Sequence, residues 1–182
     1  MNPWEIVEEW LPANDDPERP QLTLATVNPE GAADARTVLL TEFDSHGFYF
    51  HTDSRSRKVA DIAANPAVAL LFLWPGFTRQ LSVQGIAEVA PPVEQALAFE
   101  NRSPYLKQLA WLNSHEFAQL PIEERRAQWA AFPPAQEPPP TWTGFLVRPT
   151  RMTFWGSNPD TASRREEYAL VDGSWMQRHL AG

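Results

Sequence analysis

Residues 36–58 and 67–80 read RTVLLTEFDSHGFYFHTDSRSRK and AVALLFLWPGFTRQ. The order of chemistry in these two runs decides the fold. An arginine opens a β-rich segment, Ala35 to Thr41, and a hydroxyl, Thr52, ends the next strand, Phe48 to Thr52. A basic cluster, Arg55, Arg57 and Lys58, then begins a helix over Ser54 to Ala64, which Asn65-Pro66 stops. The apolar run Ala67 to Leu73 lies between breakers, as expected of a fully buried strand, and Arg79-Gln80 sits on the strand after it. Such an order suits a small barrel holding a phosphate-tailed planar cofactor.

Working outward, Leu22 to Val27 alternates as a strand before the turn Asn28-Pro29-Glu30-Gly31. With the two strands that follow, it predicts a tight antiparallel meander turning at Asp44-Ser45-His46-Gly47. Thr78 to Val89 is a long strand with Gly85 at a bend or bulge. Helical spacing predicts a short N-terminal helix over about 4–11 and a helical insert over about 92–132. The insert divides into helices to about Arg102, from Tyr105 to Phe117 and from Ile122 to Phe132. After the proline-rich link, strands are expected over about 142–180: Trp142 to Val147, Arg151 to Trp155, and a hairpin around Asp172-Gly173. The expectation is one domain over 1–182, mainly β with flanking helices (α+β), with no internal repeat.

Composition narrows the function. Hydrophobic residues make up 43% and charged residues 21%, ordinary for a globular chain. There is no cysteine, which excludes disulfides, thiolate catalysis and cysteine-held metals. Fifteen basic against 23 acidic residues give a net charge of −8, which disfavours nucleic acid as a partner. The N-terminal MNPWEIVEEWLP lacks the basic region of a secretory signal, and AVALLFLW is too short to span a bilayer. No membrane association and a cytoplasmic location are therefore expected. His46, His51, His115 and His179 show no metal-ligand spacing, so no metal is expected. Ser114-His115-Glu116 has the letters of a triad on one helix, where neighbours face different ways. No glycine-rich nucleotide motif is present.

A helix N-terminus favours phosphate through its free N–H groups and dipole. Ser56, Arg57 and Lys58 add a hydroxyl and two cations there, and the planar fork of Arg36 can grip the same anion. Alone, such a cluster is more often a solvated helix start. Arg79-Gln80 and Trp155 suit the edge and face of a planar ligand, though each also suits a surface pair or a core aromatic.

Together and in order, ARTVLL, FxFHTxxxSRK, NPxVALLFxW, RQ, the Phe99/Arg102 helix, Ala110-Trp111 and FW followed by Arg165 resemble the pyridoxamine 5′-phosphate oxidases. The similarity covers about residues 20 to 180. It implies an FMN-binding split β-barrel and a homodimer with FMN at its interface. On this resemblance the FMN residues are Arg36, Thr37, Val38, Leu39, Thr52, Arg57, Lys58, Gln80, Trp155 and Arg165, with Ser56 added from the helix-start argument.

The substrate side departs from the family. Thr41 replaces a lysine, Ala98 and Leu106 replace a tyrosine and a serine beside Arg102, and Thr161 and Ser163 replace an arginine and a histidine. His51 stands where an aromatic is common, and His115-Glu116 replaces a glutamine–serine pair. Arg102 and His115 remain as candidate substrate contacts, and no residue is assigned a catalytic role. The resulting expectation is an FMN-dependent oxidoreductase acting on a small, heteroaromatic metabolite, after the pattern of phenazine-forming relatives. The alternatives are a genuine pyridoxamine/pyridoxine 5′-phosphate oxidase with a modified clamp, and a non-catalytic flavin-binding protein.

Overall fold

The computed structural model describes residues 2–182. Helix α1 (Pro3–Trp10) starts where Asn2 Oδ1 accepts the N–H of Trp4 and Pro3 presets the first turn. It buries Val7, with Leu11 just beyond its end, against the open end of the sheet. Strands β1 (Gln21–Val27) and β2 (Ala33–Leu39) form an antiparallel hairpin. A short β3 (Glu42–Asp44) and β4 (Gly47–Asp53) form a second. Helix α2 (Arg57–Ala64) leads to β5 (Ala67–Leu73) and β6 (Arg79–Val89). Four helices follow, α3 (Pro92–Glu100), α4 (Pro104–Leu112), α5 (His115–Gln119) and α6 (Ile122–Ala131). The chain closes with β7 (Trp142–Gly156), β8 (Arg164–Val171) and β9 (Ser174–Ala181).

All nine strands join one sheet in the order β2-β1-β5-β6-β7-β4-β3, with β8 also on β7 and β9 on β8. The split lies in β7. Its first half, Trp142–Val147, pairs with β4, and its second half, Arg151–Trp155, pairs with β8, while β6 runs beside both. Pro149 sits at the change of partner, where a residue without an N–H costs no ladder bond. Opposite it the β6 register slips between Gln84 and Gly85, and a Cβ at Gly85 would collide with the Arg148 carbonyl. The bulge expected at Gly85 is present. The two strands expected over 142–155 are one bent strand.

Three further expectations are corrected. Phe48–Thr52 does not continue a meander, because its ladder is made with β3 and β7, and β2 keeps only β1. Ala67–Leu73 alternates between buried and covered positions, with Leu73 55% exposed, so it is a one-sided strand. The helix expected over Tyr105–Phe117 breaks at Asn113-Ser114, because the Ser114 hydroxyl takes the Phe117 N–H and starts α5 afresh.

Leu24, Phe48, Phe50, Leu70, Phe72, Leu81, Val83, Met152 and Tyr168 form the buried interior. Each large apolar side chain removed from water contributes about 1.5–3 kcal/mol. Trp4 packs on Phe48 at 5.3 Å and Trp10 meets Phe154 edge-on at 5.4 Å, so α1 closes one mouth of the half-barrel. At the last hairpin, Asp172 (φ 47°) and Gly173 (φ 78°) both take the left-handed conformation of a two-residue turn.

Candidate functional site

A cavity of about 430 Å³ opens between β2, the end of β4, the start of α2 and the helical insert. Thr37, Val38, Leu39, Thr52, Ser56, Lys58, Arg102, Leu106 and Trp142 belong to its wall. The ladder β2–β1–β5–β6–β7–β4 curls until β2 and β4 approach one another, and Thr41, in the link after β2, donates its N–H to the Tyr49 carbonyl at 2.8 Å beside the β3–β4 hairpin. Thr52 then ends β4 beside α2.

Lys58 is the clearest anion-seeking group. Its Nζ donates to Thr52 Oγ1 at 3.0 Å, and among the described residues no carboxylate lies within ion-pair distance of it. Burial pushes its pKa down, and the neighbouring Arg36 and Arg57 add to the shift, while the charge of Asp53 works against it. Ser56 occupies the N-cap of α2 without its side chain capping the helix; its Oγ lies 3.4 Å from Thr52 Oγ1. The first turn of α2 holds no acidic residue. An unneutralised lysine beside an uncapped helix start fits a phosphate.

Arg36 is differently placed. It donates to Thr26 Oγ1 at 2.7 Å and pairs with Asp34 at 2.8 Å and the buried Asp61 at 3.3 Å. Asp61 also accepts from Thr26 at 2.7 Å. The fork of Arg36 is thus held from behind. Arg57 is 88% exposed and lies 3.6 Å from Asp34. Asp34 carries both arginines, and although its own burial works the other way, their charges hold its carboxyl below the usual range.

Arg102 reaches the cavity from the turn after α3. Its guanidinium lies over the Trp142 indole, 4.4 Å from the ring centre, and donates to the Leu106 carbonyl at 3.4 Å. Among the described residues it has no acidic partner, and burial pushes its pKa down to about 10. Lys58 and Arg102 therefore put two unneutralised cations on one cavity that also carries an indole.

The remaining expected residues lie elsewhere on the chain. Gln80, Trp155 and Arg165 stand in one row across three strands, each opposite the next. Trp155 packs on Phe77 at 4.7 Å. Trp155 is thirteen residues along β7 from Trp142; a strand of that length extends on the order of 40 Å. His115 opens α5 and lines a neighbouring groove with Arg55, Arg57 and Glu116, not the cavity itself. Thr161, Ser163 and Arg164 line a third cleft of about 700 Å³ beside Trp10.

Sequence reasoning missed the back wall. The His51 imidazole stacks on Trp142 at 4.9 Å, and its two nitrogens meet Thr41 Oγ1 at 2.9 Å and Glu94 Oε2 at 3.2 Å. Trp142 Nε1 donates to the Gln95 carbonyl at 2.9 Å. The available signal was a histidine set among aromatics in a strand, GFYFHT.

A half-barrel split along one long strand, with a cationic, aromatic-backed cavity at its seam, defines a class of cofactor-sized anion sites. Residues 9–156 match the sequence profile described as pyridoxamine 5′-phosphate oxidase. A pyridoxine/pyridoxamine 5′-phosphate oxidase of Ralstonia pickettii (strain 12J) is 39% identical over 166 residues, covering 88% of this chain and 78% of that protein. The enzyme of that name from Nostoc punctiforme (strain ATCC 29133 / PCC 73102) is 35% identical over 190 residues, covering 100% and 89%. In three dimensions the chain is similar to PhzG from Burkholderia lata 383, solved with tetrahydrophenazine-1-carboxylic acid. There the TM-score is 0.85 at 25% identity, with 100% of this chain and 93% of that one covered. The chain belongs to the pyridoxamine 5′-phosphate oxidase family.

Proposed function

We propose that this chain is an FMN-dependent oxidoreductase whose substrate is a small, planar, anionic heteroaromatic compound. The observation that carries this reading is the cavity with two unneutralised cations, Lys58 and Arg102, and the Trp142 indole in its wall. Lys58, Ser56, Thr52 and the start of α2 would hold the FMN phosphate, with Arg57 at the rim and Arg36 fixed behind it by Asp61. Thr37, Val38 and Leu39 would border the flavin along β2. Bound FMN supplies two-electron oxidation, and the protein's part is to orient a substrate against it and exclude water. Arg102 would then meet the substrate's anionic group.

Gln80, Trp155 and Arg165 fit this scheme in a homodimer. They form a ready-made polar and aromatic row at the opposite end of β7 from Trp142, and none of the three lines the cavity. A second copy would bring them to the flavin.

A second reading has its own support, because the relatives at 39% and 35% identity carry the name pyridoxine/pyridoxamine 5′-phosphate oxidase. Against it stands the surrounding of Arg102. The side chains of Leu106 and the buried Ala98 offer a substrate no hydrogen bond, and the Thr41 hydroxyl is tied to His51. A phosphate dianion loses a charge-assisted bond of roughly 1.5–3 kcal/mol for each cation withdrawn.

The test is the visible spectrum of the purified protein, with the released chromophore identified by mass, followed by turnover assays. FMN near one per chain and weak turnover of pyridoxamine 5′-phosphate relative to a heteroaromatic carboxylate support the first reading. Brisk turnover of pyridoxamine 5′-phosphate establishes the second. A protein that takes up no FMN ends both and leaves the family fold without its flavin.

A further inference from the structure

Behind Trp142 lies a line of polar groups that the proposed function does not use. The Thr41 hydroxyl meets one nitrogen of His51, and the other meets Glu94 Oε2. The His51 side chain is fully shielded from solvent, and that of Glu94 is 13% exposed. The second Glu94 oxygen, Oε1, is buried without a hydrogen-bond partner among the described residues. Glu42 stands opposite Tyr49 in the β3–β4 hairpin, and burial together with the Glu94 charge holds its carboxyl above its ordinary range. A proton shared between the two carboxyls would give Oε1 its missing donor, and the repulsion of two like charges favours that sharing.

We propose that Glu42, Glu94, His51 and Thr41 form a partly buried proton-holding chain against the cavity wall, and that His51 takes up a proton when an anion fills the cavity. The coupling runs through Trp142. His51 stacks on that indole, and Arg102 lies over it. While Arg102 is unneutralised, its charge opposes a second cation on the same ring. Anionic charge in the cavity, the FMN phosphate at Lys58 or a substrate anion at Arg102, offsets that opposition, and Glu94 is in place as counter-ion to the imidazolium. The charged and titratable groups around the chain are Asp44 and Arg19 near Glu42, and Tyr49, whose hydroxyl burial and the Asp44 charge push up to about 12. None of them donates to Glu94 Oε1.

This deepens the proposed site and rests on it for the identity of the anion, so the test has two arms, both on the full chain. In the first, the histidine ring-nitrogen resonances of the ligand-free protein are followed against pH, with His51→Gln used for assignment. Loss of the carboxylate in Glu94→Gln should weaken proton affinity at His51 by about tenfold or more. An unchanged curve in a folded Glu94→Gln variant overturns the chain. In the second arm, FMN is titrated by calorimetry in two buffers of different ionisation enthalpy. The FMN phosphate exchanges its own protons equally in every variant, so the difference between proteins is the readout. Wild type should take up more protons than either His51→Gln or Glu94→Gln, and full coupling makes the excess affinity change about tenfold per pH unit. Equal proton uptake in all three overturns the proposal. If wild type does not bind FMN, the cofactor reading fails and the first arm alone decides the chain.

Discussion

The Arg102 guanidinium lies 4.4 Å from the centre of the Trp142 indole with no carboxylate to neutralise it among the described residues. Burial lowers its pKa to about 10, so the folded protein binds this proton less well than the unfolded chain does. The sign follows from linkage: carrying the charge costs stability at neutral pH, and the cost fades as pH rises above 10 toward the unfolded value.

Arg102→Met should therefore stabilise the ligand-free protein. A shift of this size corresponds to about 3 kcal/mol, from which about 1–2 kcal/mol is subtracted for the lost stacking, leaving a net gain of about 1–2 kcal/mol. The same variant should raise KM for an anionic substrate at least tenfold with a smaller change in kcat. Chemical denaturation and steady-state kinetics check the two halves. A destabilised Arg102→Met protein with unchanged KM would refute the role given to this residue.

Lys58 is tested apart from its neighbours. Lys58→Met removes one charge-assisted bond, worth roughly 1.5–3 kcal/mol, so FMN binding should weaken about 10- to 100-fold. The Arg57→Ala/Lys58→Ala double variant should lose flavin on purification. Quenching of FMN fluorescence measures the first and the absorption spectrum the second; a double variant with its full flavin complement would move the phosphate elsewhere.

The row Gln80–Trp155–Arg165 stands at the opposite end of β7 from Trp142, and the homodimer proposed above predicts complementation. Lys58→Ala and Arg165→Ala chains should each bind FMN poorly. Unfolded together and refolded as a mixture, they should recover one intact site per mixed dimer, since Lys58 of one chain would meet Arg165 of the other. If both contacts came from the same chain, no mixture would recover binding. Flavin content against mixing ratio distinguishes the two.

Gly144 has no room for a side chain: a Cβ there would collide with the His51 ring and crowd Gln95. Gly144→Ala should cost about 2 kcal/mol or more through this overpacking. Much of that cost should vanish in the His51→Ala background, because the obstructing ring is gone. A double-mutant cycle by urea denaturation measures the coupling, and strictly additive costs would place His51 away from Gly144.

Most of the barrel was legible because its strands announce themselves locally. β1 alternates and β5 is an apolar run between breakers, so its presence was legible though its one-sided burial was not, and Gly85 marked the bulge. β3 was not legible, since three residues carry no period. The partner of β4 was hidden as well: Phe48–Thr52 meets residues some 90 positions later in β7, a pairing that loop economy argues against. At the site, residues close in sequence were found together, Thr52 with Ser56 and Lys58. The chain Glu42–Glu94–His51–Thr41 joins three elements, and only the packing of α3 on β7 brings it into line. The distance between the Gln80 row and the cavity was equally invisible, because adjacency along a motif says nothing about position along a strand.

Glu42 yields the pH prediction. Its carboxyl is held above the ordinary range by burial and then by the Glu94 charge, so the folded state binds this proton more tightly than the unfolded chain. A group of that kind favours folding while it stays protonated, and its contribution is lost as pH rises through its folded value. Stability should thus decline from just above the ordinary glutamate range upward, against the usual acid-side gain from paired carboxylates such as Asp53, which Arg55 holds low. Glu42→Gln imitates the protonated form. It should flatten that decline and leave the acid limb set by Asp53 in place, as urea unfolding from mildly acidic to neutral pH would reveal. A decline that persists unchanged in Glu42→Gln would mean that Glu42 does not hold the proton, and the partnerless oxygen of Glu94 would then need another donor.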